Sequence, residues 1–189
     1  MGREIELKFD VTDPDEMRAR LDAAGARFIS KAFEVNRIFD SRKRKLQKKG
    51  CGLRVRTSRF QDDRRADARL TFKGPRAPGE FKSREELELS VADAETLIAI
   101  LGRLGYQQVV HYEKRRETWT LGDCEVVLDE LPRLGWWLEI EASTEQAVTS
   151  VRERLNLAAT PPADKTYVAM AAKHGDHDAD GCAKLVFDS

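Results

Sequence analysis

Charged and apolar residues alternate in short runs along this chain, and each run predicts a β-strand with one apolar and one charged face. The first covers 3–11, where Glu4, Glu6 and Lys8 alternate with Ile5, Leu7 and Phe9. A helix opens at Asp13-Pro14, carries Met17, Leu21 and Ala24 on one face, and stops at Gly25. Residues 28–40 read as a long strand and 41–50 as a basic turn or loop. Shorter strands are expected at 52–56, 69–73 and 85–91, joined by the polar stretch 61–67 and the Gly/Pro loop 74–79. Asp93 caps a helix that ends at Leu104-Gly105. The second half repeats the plan: strand 106–121, a tight turn at Gly122-Asp123, strand 125–129, a turn at 131–135 and strand 136–142. Thr144 caps a helix to Leu155, Pro161-Pro162 breaks the chain, and a last helix is expected over 164–173. The organisation is one domain over 1–173, followed by a tail, 174–189, whose polar start predicts a loose segment.

Sorting the strands by parity gives one answer throughout. Arg54 and Arg56 oppose Leu53 and Val55, Thr71 and Lys73 oppose Leu70 and Phe72, and Glu86 and Glu88 oppose Leu87 and Leu89. Lys114 and Arg116 share a face with Thr118 and Thr120, away from Trp119 and Leu121. Glu125, Val127 and Asp129 share a face, and Glu139 and Glu141 join Trp137 opposite Leu138 and Ile140. Amphipathic helices can cover the apolar faces, and an antiparallel sheet covered outside can curl until its polar face lines a tunnel. Unpaired charges inside such a lining would cost several kcal/mol each, so it needs a ligand, water and cross-tunnel pairs.

Composition narrows the chemistry. The 189 residues are 35% charged, with 33 basic residues balancing 33 acidic ones. That balance argues against a general nucleic-acid binder. No apolar run is long enough to span a membrane, the N-terminus has no signal-peptide core, and Met1-Gly2 lacks the myristoylation pattern. Cys51, Cys124 and Cys182 have no metal-site spacing and read as reduced thiols of a cytoplasmic protein. Carboxylates without His or Cys nearby suit a hard cation, Mg²⁺ or Mn²⁺. Several Arg and Lys converging on one cavity suit a polyanion, and triphosphate is the commonest that travels with Mg²⁺.

With these strands in hand, the chain resembles the CYTH proteins, or triphosphate tunnel metalloenzymes. The resemblance rests on Glu4-x-Glu6-x-Lys8, Arg54-x-Arg56, Thr71-Phe72-Lys73-Gly74-Pro75 and Arg84-Glu85-Glu86-x-Glu88. It continues through Lys114-Arg115-Arg116, Val127-Leu128-Asp129-Glu130, Leu138-Glu139-Ile140-Glu141 and Lys165-Thr166-Tyr167, in that order. It implies an α+β fold built on a closed eight-stranded antiparallel β-barrel, the triphosphate tunnel, with helices packed outside. Within the family, Asn36-Arg37-Ile38-Phe39-Asp40 and Leu128-Asp129-Glu130-Leu131 resemble the class IV adenylyl cyclase branch, which converts ATP to cyclic AMP and pyrophosphate. Triphosphate hydrolysis, on inorganic, nucleoside or thiamine triphosphate, is the alternative, and a non-catalytic polyphosphate or nucleotide receptor is the second. The resemblance also implies that Glu4, Glu6, Glu139 and Glu141 hold the metal, with Asp129 on a second metal or a water. Lys8, Arg54, Arg56, Lys73, Lys114, Arg116 and Lys165 would cradle phosphates, while Glu86 and Glu88 position those bases or touch metal or substrate. A homodimer is plausible by this resemblance alone.

Other features have plainer readings. Trp136-Trp137 predicts core and rim packing rather than base stacking. His111 is expected to be structural or exposed, and His174, His177 and Asp178 to sit in the tail without a metal. The run Arg42-Lys43-Arg44-Lys45 reads as a solvated loop near the tunnel mouth that draws in anions. Cys51 has no neighbour to activate it as a nucleophile.

Overall fold

The computed structural model describes residues 3–61, 66–76 and 82–188, with the side chains of Arg3, Glu4, Lys82 and Ser83 also outside the described set. Its strands are β1 (Arg3–Val11), β2 (Arg27–Ser41), β3 (Gly52–Phe60), β4 (Ala66–Lys73), β5 (Lys82–Ser90), β6 (Tyr106–Leu121), β7 (Cys124–Leu131) and β8 (Gly135–Ala142). They form a curled antiparallel sheet in the order β2-β3-β4-β5-β1-β8-β7-β6, and β2 also pairs with β6. That last pairing runs from Arg27↔Thr120 to Ser41↔Tyr106. The middle strands are longer than the sequence predicts, because hairpin pairing carries regular backbone past their apolar cores, to Ala32↔Phe60 on one side and Arg59↔Ala66 on the other.

Apolar strand faces point outward and are met by helices. α1 (Pro14–Ala23) and α4 (Glu145–Arg154) bring Met17, Leu21, Val148 and Val151 onto Ile5, Leu7, Phe9, Val126, Leu128, Leu138 and Ile140. Each fully buried side chain of this kind contributes roughly 1.5–3 kcal/mol. α3 (Ala94–Arg103) covers Phe39 and Val55 with Leu101. It leaves Leu87 and Leu89 on the outside of β5 exposed. Asp13 and Asp93 cap α1 and α3 through paired 3.0 Å bonds from the second and third following amides. None of the helices among the described residues is long and apolar enough to cross a membrane.

Three segments differ from expectation. The basic stretch after β2 contains a short helical turn, α2 (Lys45–Lys48). The carboxylate of buried Asp40 fixes it by accepting from the amides of Ser41, Leu46 and Gln47. The last long helix, α5 (Tyr167–His174), starts three residues late, since Thr166 is its cap and accepts from the Ala169 amide. The preceding stretch is pinned as irregular backbone by the Ala163 amide, which donates to the Lys8 carbonyl of β1 at 2.7 Å.

The tail is not loose. β9 (Asp176–His177) pairs with β10 (Ala183–Leu185), which adds parallel to β6 with Leu185 opposite Tyr112. Cys182, Ala183 and Leu185 are buried, and apolar burial outweighs the polar start of the segment. Gly175 makes the turn possible: a Cβ there would stand 2.6 Å from the Ala171 carbonyl oxygen and 2.8 Å from that of Lys184.

Candidate functional site

Register turns the parity pattern into a lining. Across β8 and β1 the inward residues pair as Glu141↔Glu6 and Glu139↔Lys8. Around the other side run Glu34↔Lys114, Arg56↔Asn36, Arg56↔Arg69, Thr71↔Glu88 and Lys73↔Glu86. A cavity of about 490 Å³ opens among them. Its walls include Glu6, Lys8, Arg54, Arg56, Lys73, Glu86, Glu88, Lys114, Arg116, Glu139 and Glu141. Eleven of the fourteen expected site residues therefore meet in one place.

The other three do not. Glu4 lies on β1 opposite Arg84, and its side chain is outside the described residues. Lys165 is exposed ahead of α5 and is not part of the cavity wall, because the irregular backbone before Thr166 carries it outward. Asp129 is fully buried behind the wall and is consumed by cations. Arg116 grips it with two bonds, Nε to Oδ1 at 2.7 Å and Nη2 to Oδ2 at 2.6 Å, and Lys114 Nζ stands 3.1 Å from Oδ2. Both carboxylate oxygens of Asp129 are thus engaged by Arg116 and Lys114.

The interior charges form a paired network. Lys8 Nζ lies 2.7 Å from Glu139 Oε1, and Arg116 Nη2 lies 2.8 Å from Glu139 Oε2. Lys114 also faces Glu34 at 3.4 Å, and Arg56 lies between Glu34 and Glu88 at 3.7 and 3.6 Å. Lys73 and Arg84 share Glu86. Burial works against ionisation of Glu34, but Lys114, Arg116, Arg56 and Arg54 together hold it well below the usual carboxylate range. Glu139 is lowered in the same way against its burial by Lys8, Arg116 and Lys114. Burial pulls the Lys114 ammonium down, and Arg116 adds to that. The Tyr112 phenol is pushed up to about 12 by burial, with Glu34 and Glu139 adding to the rise. The cations around Glu34 and Glu139 therefore favour their anionic forms, while burial favours the protonated phenol of Tyr112.

Five residues near the site escaped the sequence reading. Glu34 and Asn36 face inward from β2, whose alternation Phe33, Val35 against Glu34, Asn36 carries the same signal used on the other strands. Asn36 is fully buried, and neither atom of its amide has a protein partner among the described residues. Glu125 lies directly opposite Glu141, which lies opposite Glu6, so three carboxylates cross β7, β8 and β1 in a row, all on the cavity wall. Tyr112 and Tyr167 also line the cavity. The ring of Tyr167 sits 3.4 Å from Lys8 Nζ and 5.2 Å from Lys114 Nζ, a platform under both ammoniums. Burial, then Asp129 and Glu139, hold its phenol well above the usual value.

The carboxylate row is a candidate cation site. Among the described residues no three His, Cys, Asp or Glu side chains gather into a preformed metal cage. Carboxylates at cross-strand spacing, roughly 5 Å apart, repel one another unless a cation lies between them. Mg²⁺ is usually held by one or two carboxylates plus substrate phosphates rather than by an all-protein cage, so Glu6, Glu141 and Glu125 fit a hard divalent ion that arrives with a polyanion.

Apart from Cys51, the tryptophans, His111 and Asp178 fall outside the cavity wall. Trp137 is buried and donates from Nε1 to the Leu134 carbonyl at 3.1 Å, and Trp136 packs under Arg18. His111 is half-buried, its imidazole pulled down by burial and Arg37. Cys51 is on the wall and unpaired by any disulfide. Asp178 accepts from the amides of Asp180 and Cys182 and pairs with Lys184 at 3.0 Å, which is turn structure.

Comparison with known proteins agrees with this geometry. Residues 2–163 match the CYTH domain. A protein of Methanocaldococcus jannaschii named as a candidate adenylate cyclase is 31% identical over 140 residues, which is 74% of this chain and 77% of that protein. The solved structure of a Pyrococcus horikoshii OT3 protein superposes with a TM-score of 0.79 at 26% identity, covering 90% of this chain and 98% of the other. That of a candidate adenylyl cyclase from Hippeastrum, described as having a dominant triphosphatase activity, superposes with a TM-score of 0.67 at 17% identity. It covers 90% of this chain and 94% of that one.

Proposed function

This chain belongs to the CYTH family, and from that premise we propose that it is a divalent-metal-dependent enzyme that binds a triphosphate inside its curled sheet. We take the pairing of β2 with both β3 and β6 as support for a closed tunnel. The observation that carries the functional reading is the convergence of cations and carboxylates on one cavity wall. Arg54, Arg56, Lys73, Lys114 and Arg116 come from β3, β4 and β6, and Glu6, Glu125, Glu139 and Glu141 from β1, β7 and β8, with Lys8 of β1 among the acids and Glu86 and Glu88 added from β5. A triphosphate laid along the cationic side exposes its remaining oxygens to the acidic row. Mg²⁺ or Mn²⁺ held between phosphate oxygens and Glu6, Glu141 and Glu125 would offset that charge.

The residues of the chain do the rest. Lys8, Lys114 and Arg116 sit on rigid partners, Tyr167, Glu139 and Asp129, so their charge is oriented before substrate arrives. Displacing the acid partners by phosphate oxygens exchanges one set of charge-assisted bonds for another, which limits the reorganisation on binding. The chemistry assigned first is cyclisation of ATP to cyclic AMP and pyrophosphate, in line with the name carried by the archaeal relative. Hydrolysis to orthophosphate is the second reading, favoured by the activity described for the Hippeastrum protein.

The test is product analysis. Purified protein is incubated with ATP, thiamine triphosphate or tripolyphosphate, each with Mg²⁺, Mn²⁺ or chelator. Cyclic AMP with pyrophosphate, only when metal is present, supports the cyclase. Orthophosphate without cyclic AMP assigns a triphosphatase. Binding without product from any of the three would leave a receptor and refute the enzyme reading.

A further inference from the structure

Glu34 is a buried acid that stands among cations without a close bond to them. It faces inward from β2, directly opposite Lys114 of β6, and is 4% exposed. Its Oε2 lies 3.4 Å from Lys114 Nζ, and its Oε1 lies 3.7 Å from Arg56 Nη1. Among the described residues no hydrogen bond reaches Oε2, and both amide atoms of Asn36, two residues along the same face, also lack one. Asp129 is held differently, by three bonds of 2.6, 2.7 and 3.1 Å from Arg116 and Lys114. Lys114 thus stands between an acid that aligns it and an acid that only offsets its charge. Arg56 stands between Glu34 and Glu88, the latter 3.6 Å away. Lys114 and Arg56 belong to the cavity wall, whereas Glu34 lies behind it. It therefore acts on a ligand through the two cations in front of it and through its field. Those cations, with Arg116 and Arg54, keep it ionised against its burial. A buried carboxylate without good hydrogen bonds costs stability that an uncharged side chain of the same size would avoid.

We propose that Glu34 is a positioning residue of this site, a buried counter-charge that separates Lys114 from Arg56 and limits how tightly the cavity holds a polyanion, so that the phosphate product leaves. The proposal rests on the triphosphate reading of the cavity. β2 runs between β3 and β6, so without Glu34 the Arg56 and Lys114 charges would face each other across that strand with only their outer acids, Glu88 and Asp129, to offset them. A wall rich in cations holds substrate, transition state and product phosphate alike, and such uniform binding lowers KM without raising turnover. A fixed acid behind the wall weakens all three by a similar factor and shortens the stay of the product. One unit charge at roughly 7 Å, with an effective dielectric of about 20, corresponds to about 50-fold in affinity for each phosphate charge, and screening in an open cavity reduces this to about 10-fold.

The test sets the neutral, isosteric variant Glu34→Gln and the shorter, charged variant Glu34→Asp beside the wild type. Calorimetric titration with tripolyphosphate and with pyrophosphate, in chelator, measures binding without turnover, and the circular dichroism spectrum of each protein is the folding control. Glu34→Gln is expected to bind both anions about 10-fold more tightly, and Glu34→Asp to stay within about threefold of the wild type. A carboxylate that serves packing alone predicts the reverse order, with Glu34→Asp disturbed and Glu34→Gln neutral or weaker. Equal or weaker binding by Glu34→Gln overturns the proposal. So does equal tightening in both variants, because charge would then not be the cause. Should Glu34→Gln melt below the assay temperature, thermal scans over a tripolyphosphate series carry the same comparison. Its melting temperature should rise further than that of the wild type at each shared concentration, and equal rises overturn the proposal. Absence of tripolyphosphate binding by the folded wild type strikes the triphosphate reading and this proposal together, whereas wild-type binding that Glu34→Gln leaves unchanged strikes the proposal alone.

Discussion

Asp129→Asn separates two roles for one buried carboxylate. A metal ligand replaced by an amide would lose metal affinity and leave the free protein about as stable as before. A carboxylate that holds cations behaves otherwise. It faces Arg116 through two bonds at 2.6 and 2.7 Å and Lys114 through one at 3.1 Å, with no exposure to solvent. Removing one partner of a buried ion pair costs about 3–5 kcal/mol, since the opposite charge stays buried and uncompensated. Here Arg116 keeps Glu139 at 2.8 Å and Lys114 keeps Glu34 at 3.4 Å, which places the loss near the lower end, about 3 kcal/mol. For a domain of this size that corresponds to a melting temperature lower by about 6–12 °C. Because the cost comes from freed cations, a polyanion should repair it. Saturating tripolyphosphate, at about 100 times its Kd, adds about 2.7 kcal/mol to any binder. At one shared tripolyphosphate concentration the Asn variant should gain more than the wild type does, because its freed cations lower its Kd. Calorimetric scans of both proteins, with and without tripolyphosphate and with chelator present, measure this directly. An unchanged melting temperature together with lost metal binding would refute the cation-holding role and restore Asp129 as a ligand.

Other expectations follow from the same structure. Tyr167→Leu removes the ring under Lys8 and should weaken triphosphate binding about 5- to 30-fold, the equivalent of a desolvated cation–π contact of about 1–2 kcal/mol; Tyr167→Phe keeps the ring and should bind normally, and equal losses in both variants would contradict the platform role. Leu185→Ala should cost about 2–5 kcal/mol in urea unfolding because its side chain is fully buried, whereas a loose tail would show under about 0.5 kcal/mol. Outside the site, Glu117 is held below the usual carboxylate range, against its own burial, by Arg18 and Lys31. Its folded value is below its unfolded value, so its stabilisation is present above about pH 4.3 and disappears as pH falls through the folded value. Melting temperatures from pH 7 to pH 3 should fall less steeply in Glu117→Gln than in the wild type; parallel curves would count against the linkage. Glu6→Gln and Arg56→Ala should each lower turnover by orders of magnitude with the fold retained, and near-normal rates in both would refute the site.

How much of this was legible without coordinates follows from what a period of two encodes. Alternation fixes which side chains share a face, and it placed Glu6, Lys8, Arg54, Arg56, Lys73, Glu86, Glu88, Lys114, Arg116, Glu139 and Glu141 on the lining, where they are. The same rule applied to β2 would have added Glu34 and Asn36. Parity says nothing about which strand lies beside which, because pairing is set by contacts far apart in sequence. Only the register shows that Glu125 meets Glu141 and Glu141 meets Glu6, making an acidic row, while Asp129, on the same face as Glu125, is spent on Arg116 and Lys114. Nor does composition predict docking. The tail reads as polar until Cys182, Ala183 and Leu185 find the edge of β6, and only the structure shows Lys165 exposed ahead of α5 and outside the cavity wall. The sequence by itself determined the alternating faces, the charge inventory and the family; the tertiary structure decided which charges neutralise one another and which remain for a ligand, since that depends on distance and burial, and both are properties of the assembled sheet.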